Sequence, residues 1–343
     1  MRGSLVRNLA FAAGGAAAFL ATASIFLLAV GRPPLSTLGT MVIYAFGDSY
    51  STSESLVKAT PILLCALAMI LPARLGLISV GGDGQLYFGA LTGTAVVVNF
   101  PAAPLPLLLP GMLVAGTLGG AAWSAFAGVL RARCNVNETI STLLMNYVAA
   151  LLVNFAVYGA WKDPASLGWP ATIEFPRAAT VPSLFGTRVH LGFVVALVAA
   201  ALLHVAVTYS RWGIGLNVLS GNRKVGAMVG LDFARQAVIV MALGGALAGF
   251  AGICETSAIQ GRLQSGLSVG YGLTGFLVAW LSGQHFLRAV PIAILIGGLI
   301  AAGDSLQLYA KIPSASATVL QGLLFAAALG AAGLATRRSA RHA

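Results

Sequence analysis

The side chains that could do chemistry are few, and they lie in apolar sequence. Asp83, Gln85, Glu138, Asn146, Asn154, Glu255 and Asp304 fall within or beside long apolar runs. Polar groups inside a membrane are expensive, so each is a functional hypothesis by default. The competing reading is a helix end or a bond to a neighbouring helix. Nothing around them points to catalysis: no carboxylate has a local partner suited to hydrolysis, and no Ser/His/Asp grouping is evident. His190, His204, His285 and His342 lie far apart in sequence and form no HExxH pattern. Cys65, Cys134 and Cys254 show no CxxC spacing, and Cys65 and Cys254 read as small core residues. No metal site is therefore indicated. None of Lys58, Lys162, Lys224 and Lys311 follows a glycine, so the chain has no Gly-Lys-Ser/Thr phosphate loop. The chain is expected to bind no cofactor, and any ATP that drives it must be hydrolysed elsewhere.

Three stretches set these residues in a pattern. Asp83 and Gln85 stand in a glycine-rich break, Gly81-Gly82-Asp83-Gly84-Gln85, between two short apolar runs. Interrupted helices free backbone groups and aim helix ends at a central site. Glu138 opens Asn137-Glu138-Thr139-Ile140-Ser141-Thr142-Leu143-Leu144-Met145-Asn146-Tyr147. A helix there puts Ser141, Thr142, Met145 and Asn146 near Glu138 on one face, while Glu138 also suits a helix start. Residues 210–236 form a long charged connection with Arg211, Arg223, Lys224 and Arg235. Residues 223–229 are compatible with a short helix stopped by Gly230. Val225, Met228 and Val229 would offer an apolar face beside Gly221, Asn222, Arg223 and Lys224, against the plainer reading of a solvated loop.

The elements that must position these residues are membrane helices. Apolar residues make up 58% of the 343 residues and charged ones only 8%, against about 25% charged in soluble domains. A soluble protein of this composition would expose large apolar patches. The sequence therefore predicts an all-α, polytopic integral membrane protein of about ten transmembrane helices, with one or two broken or re-entrant segments. Residues 9–30 read as a retained helix, because the apolar run exceeds that of a signal peptide. Residues 31–59 read as an external loop and 60–71 as a run too short to span. Residues 161–190 read as a polar loop, and 271–281 as short and re-entrant. Gly244, Gly245 and Gly249 are spaced for close helix packing.

One transmembrane domain over residues 1–343 is expected. It comprises an N-terminal helix and external loop (1–59), a core bundle (60–335) holding a cytoplasmic loop (210–236), and a basic tail (336–343). The net charge of +11 comes from Lys and Arg scattered singly between apolar runs, with no basic stripe for nucleic acid. With ten crossings and the N-terminus inside, thirteen of the 20 Lys and Arg residues fall in inside segments. That bias predicts both termini in the cytoplasm.

Taken in order, four blocks resemble a permease subunit of bacterial ABC importers, in the branched-chain amino acid/simple sugar permease superfamily and nearest its nucleoside-type permeases. They are Gly76-Leu77-Ile78-Ser79-Val80-Gly81-Gly82-Asp83-Gly84-Gln85, the Asn137–Tyr147 segment, the 215–232 loop, and Gln260-Gly261-Arg262-Leu263-Gln264 with Gly270-Tyr271-Gly272-Leu273-Thr274-Gly275 and Gly303-Asp304-Ser305-Leu306-Gln307. The family usually has Asn where Ser79 stands and Glu where Asp83 stands. The 215–232 loop has Gly221-Asn222-Arg223-Lys224 in place of the family's Pro-Ala-Ala wording. The resemblance implies import of a nucleoside or related purine, with simple sugars as the near alternative. An ion-coupled transporter using Asp83, Glu255 and Asp304 is the alternative of another class, and a non-transporting membrane scaffold a third. The polar residues set in apolar sequence point to a substrate pathway near Asp83, Gln85, Glu138, Asn146, Glu255 and Asp304, and the charged connection to ATPase coupling through Gly221, Asn222, Arg223, Lys224, Val225, Met228 and Val229, a loop that the resemblance implies is the coupling segment. The resemblance also implies a cytoplasmic ATPase subunit carrying ATP and Mg, a second and paralogous permease, an extracytoplasmic solute-binding protein, and the bacterial inner membrane as location.

Overall fold

The computed structural model describes residues 2–100, 104–166, 168–184, 186–310 and 315–340. Among them the regular structure is helical, with no strand. The α-helices are α1 (Arg2–Ala29), α2 (Pro34–Phe46), α3 (Ser49–Ala73), α4 (Gly82–Asn99), α5 (Leu105–Cys134), α6 (Glu138–Tyr158), α7 (Leu191–Tyr209), α8 (Arg211–Gly221), α9 (Arg223–Met228), α10 (Phe233–Cys254), α11 (Tyr271–Leu281), α12 (Phe286–Ala310) and α13 (Ala315–Ala340). A π-helical stretch, Glu255–Gln260, prolongs α10. The chain divides into two compact units, residues 1–59 with 294–343 and residues 60–293.

In the first unit α1 lies along α13. Ala23, Met41, Ala45, Ala302, Leu306 and Leu320 bury one another, flanked by Phe19 and Phe26. Residues 31–59, expected as a loop, are largely helical. Pro34 is not a breaker here but the first helical residue, where its missing N–H costs nothing. Asp48 starts α3 by accepting from Ser51 N at 2.6 Å. That backbone bond, with one from the Ser51 hydroxyl, holds the exposed carboxyl below its ordinary range.

In the second unit α4, α5 and α10 form the centre. Their backbones meet where side chains are missing: a Cβ on Gly249 would lie 2.5 Å from Gly116 O, and one on Gly244 2.5 Å from Ala68 O. The close packing expected of these glycines is present. Residues 60–71, expected as a run too short to span alone, are the buried C-terminal half of α3. A helix apolar all round belongs inside a bundle. The described residues of the 161–190 segment are non-helical apart from a turn at Arg177–Ala179. It lies against the end of α10, with Thr172 N donating to Leu263 O (2.9 Å), Phe175 N to Gly261 O (2.7 Å) and Val181 N to Ser257 Oγ (3.0 Å).

The described residues do not confirm the count of about ten spans. Six helices among the described residues are long and apolar enough to cross a membrane. A seventh is added if α1 and α2, bent by 109°, count as one broken span. Three elements make the difference. The first turn of α4 carries Asp83 and Gln85, and α11 has only 11 residues, about 16 Å of rise against a core of about 30 Å. The apolar stretch of α13 found among the described residues, Thr318–Ala331, is shorter than a span. Lys311 and Arg341, both used in the charge count, lie outside the described residues.

Candidate functional site

Residues 74–77 turn off the end of α3, with Gly76 N donating to Ala73 O and Leu77 N to Pro72 O, and residues 78–81 then run outside any helix until α4 begins at Gly82. Free N–H and C=O groups at membrane depth need partners, and α6 supplies them from one face. Glu138 Oε1 accepts from Ile78 N (3.2 Å) and the Thr139 hydroxyl donates to Ile78 O (2.9 Å). Thr142 Oγ1 accepts from Val80 N (3.1 Å). Asn146 closes the series, donating to Val80 O and accepting from Gly84 N, both at 2.8 Å. Glu138, Thr142 and Asn146 are four residues apart, so each falls one turn above the last. Glu138 is further fixed by Arg131, whose Nε lies 3.1 Å from Oε2. The helix cap itself is Asn137, which accepts from Thr139 N and Ile140 N.

Asp83 sits in the first turn of α4 and holds the start of α11. Its Oδ1 accepts from the Ser268 hydroxyl (2.6 Å) and Gly272 N (2.9 Å), and Oδ2 from Leu273 N (3.1 Å). Ser268 Oγ in turn accepts from Gly270 N (3.2 Å) and Tyr271 N (3.0 Å). One carboxylate thus meets the N–H groups and positive dipole end of a helix 190 residues away. The approach requires glycine on both sides: a Cβ on Gly82 would lie 2.8 Å from Gly272 Cα. Gln85, two residues further on, faces the other side of α4 and donates to Ser124 Oγ at 3.1 Å.

A cavity of about 320 Å³ opens beside these contacts, lined by Val80, Asp83, Tyr87, Leu143, Asn146, Tyr147, Ala150, Ser268, Gly270 and Leu273. The structure therefore gathers two of the six expected pathway residues, Asp83 and Asn146, at one cavity. Gln85 and Glu138 are buried and are not part of its lining. Glu255 is buried at the π-helical end of α10 and is not part of the lining. Asp304 belongs to the first unit, where it pairs with Lys58 Nζ at 3.2 Å. Tyr87, Tyr147 and Ser268 escaped the sequence reading. Tyr87 follows Asp83 by one helical turn, which was a usable signal, whereas Ser268 is joined only by the fold.

The 210–236 connection folds as two helices. Asn222 breaks them apart and caps α9, accepting from Lys224 N (2.9 Å) and Val225 N (3.3 Å). Gly230, at φ +79°, ends it: Gly230 N donates to Ala227 O and Leu231 N to Gly226 O, the paired bonds of a Schellman cap. Gly226 rests on the buried Leu219 of α8, which turns Val225, Met228 and Val229 outward at 47%, 84% and 65% exposure. The Arg223 guanidinium stacks 3.7 Å from the Phe233 ring, while Lys224 is exposed.

Comparison with known proteins agrees with this architecture. The family model described as the permease component of the branched-chain amino acid transport system matches residues 51–329. The chain is 31% identical over 318 residues to the glucose ABC transporter permease protein TsgB13 of Haloferax volcanii, covering 90% of this chain and 83% of that one. It is 28% identical to the guanosine ABC transporter permease protein NupP of Bacillus subtilis, over 86% and 85% of the two chains. With the nucleoside ABC transporter permease protein NupB of Lactococcus lactis it shares 24% identity over 81% and 77%. A multi-pass helical bundle and a family match running from the start of α3 into α13 lead to one conclusion: the chain belongs to the branched-chain amino acid transport system permease family.

Proposed function

We propose that this permease is the membrane-spanning subunit of an ATP-driven importer for a nucleoside or a related purine compound. The observation that carries the substrate class is the cavity at the α4–α6–α11 junction. Its volume falls at the lower end of small-molecule pockets, about 300–1,000 Å³. Tyr87 and Tyr147 give it aromatic walls, and Asn146, Ser268 and Asp83 give it polar edges. Aromatic faces suit a planar base and the polar edges suit a ribose. The relatives named for guanosine and nucleosides support the same reading. A simple sugar is the second reading, favoured by the relative named for glucose.

In this account Mg-ATP is held and hydrolysed by a cytoplasmic ATPase subunit that docks on the exposed Val225, Met228 and Val229 face of α9, with the 221–224 turn beside it. A paralogous second permease completes the pathway, and an extracytoplasmic solute-binding protein delivers the solute. The membrane is the bacterial inner membrane, with both termini on the cytoplasmic side, as the basic-residue bias supports. The test is calorimetric titration of the binding protein that purifies with the native complex. Saturable binding of guanosine without a response to glucose supports the nucleoside reading; binding of glucose alone replaces it with the sugar reading.

A further inference from the structure

A second cluster of ionisable side chains lies away from the cavity, where α3 and α7 end and α12 begins. The His204 ring of α7 lies 5.1 Å, centroid to centroid, from His285, which immediately precedes α12. Thr208 Oγ1 is 3.3 Å from His204 Nδ1, and the Tyr209 ring packs edge-on against His204 at 6.0 Å. Arg74, just past the end of α3, donates from Nη2 to Gln284 O at 2.7 Å and lies 5.5 Å from the Phe286 ring centroid. Arg288 is exposed one turn into α12. The turn carrying His285 is held in place: Gly283 and Gln284 both have positive φ, and Gln284 N donates back to Ala279 O at 2.9 Å.

Among the described residues no ion pair joins any member of this grouping to a carboxylate. The charged groups that bear on His285 are Arg288, His204 and Arg74, and no carboxylate is among them. Two of its polar atoms, Arg74 Nε and His285 Nδ1, are buried without a hydrogen-bond partner. Burial comes first, and the neighbouring Arg288, His204 and Arg74 next, in pushing the His285 imidazole below its ordinary value. A cation drawn partly out of water costs free energy unless an anion or hydrogen bonds complete it, and this bears on the half-buried Arg74, whose Nε is unpartnered. A phosphate suits the donors present, since arginine grips it through two parallel N–H groups. The free N–H groups at the start of α12 add to the same field.

We propose that Arg74, Arg288, His204 and His285 form a binding site for a phosphate-bearing anion, supplied either by an anionic lipid headgroup or by free phosphate. The spanning helices α3 and α7 end here and α12 begins here, which on this proposal sets the cluster at the level of the lipid phosphates. Removing one arginine near a membrane surface weakens binding about five-fold.

The test uses the full-length chain in detergent. Native mass spectrometry follows retention of phosphatidylglycerol against phosphatidylcholine, and thermal unfolding follows stabilisation by inorganic phosphate. Arg74→Gln also removes the bond that holds the 281–285 turn, so it acts on folding as well. Arg288→Gln, which makes no hydrogen bond or ion pair among the described residues, isolates the charge. Preferential retention of phosphatidylglycerol, weakened about five-fold in Arg288→Gln, identifies the lipid as the source. Stabilisation by phosphate that Arg288→Gln weakens, with no lipid preference, identifies the free anion. Equal retention of both lipids with no phosphate effect, or binding unchanged in Arg288→Gln, overturns the proposal.

Discussion

Replacing Asp83 with Asn keeps the side chain's size and removes its charge, so it separates two roles for the same carboxylate. In the structure Asp83 accepts from Ser268 Oγ, Gly272 N and Leu273 N at 2.6, 2.9 and 3.1 Å. An asparagine retains one acceptor oxygen and turns an NH2 group on the other donors. At least one bond is lost, and the rest change from charged to neutral. A hydrogen bond to a charged group contributes about 1.5–3 kcal/mol and a neutral one about 0.5–1.5; the helix dipole adds about 0.3–1 kcal/mol. The expected loss is therefore about 3 kcal/mol. It should be shared with Ser268→Ala, because Ser268 relays the same carboxylate to Gly270 N and Tyr271 N. Thermal unfolding of the purified variants and of the double mutant measures this. A non-additive cycle, with about 0.5–3 kcal/mol of coupling, is expected for groups in one network. Unchanged unfolding of Asp83→Asn, with a raised KM for transport, would refute the capping role and leave Asp83 as a solute contact alone.

Three further outcomes are expected. Changing Met228 and Val229 to Asp removes two apolar contacts of about 1.5–3 kcal/mol each, so the ATPase subunit should no longer co-purify while the permease still inserts. Normal co-purification with normal ATP-dependent uptake contradicts the docking face. Burial lowers the His190 imidazole from its ordinary 6.5 to about 4. The unfolded chain then takes up a proton that the folded chain refuses, so this stability is complete above pH 6.5 and falls by about 3 kcal/mol as pH drops towards 4; His190→Gln should remove that share of the acid sensitivity seen in unfolding scans. Single cysteines at positions 165 and 220, in a Cys134→Ser background, should be labelled by a membrane-impermeant reagent from outside the cell at 165 and not at 220; the reverse inverts the orientation.

Local features were legible where the cause was local. The helix expected over 223–229 and found over Arg223–Met228, its stop at Gly230 and the packing of Gly244 and Gly249 follow from residue type and short spacing; the break expected at 81–85 lies instead at residues 74–81, and Gly82 to Gln85 form the first turn of α4. The face holding Glu138, Thr142 and Asn146 was also readable from periodicity. Its purpose was not, because its partner is the backbone of residues 78–84, about sixty positions away. Pro34 looked like loop punctuation until the fold made it a helix start, and the polar residues of 48–59 hid the first half of α3. Asp83 could be singled out as an unusual carboxylate, but its bonds to Ser268, Gly272 and Leu273 exist only once α11 is brought to it. The His204–His285 pair, 81 residues apart, was invisible for the same reason.

The central claim is that this chain moves its solute only when a separate ATPase drives it. Uptake of labelled guanosine into proteoliposomes holding the chain with its ATPase, companion permease and binding protein tests this directly. Uptake that requires internal or external Mg-ATP on the ATPase face, and that an imposed proton or sodium gradient cannot replace, is the predicted result. Uptake driven by such a gradient through this chain alone, without ATP or the ATPase subunit, would contradict it.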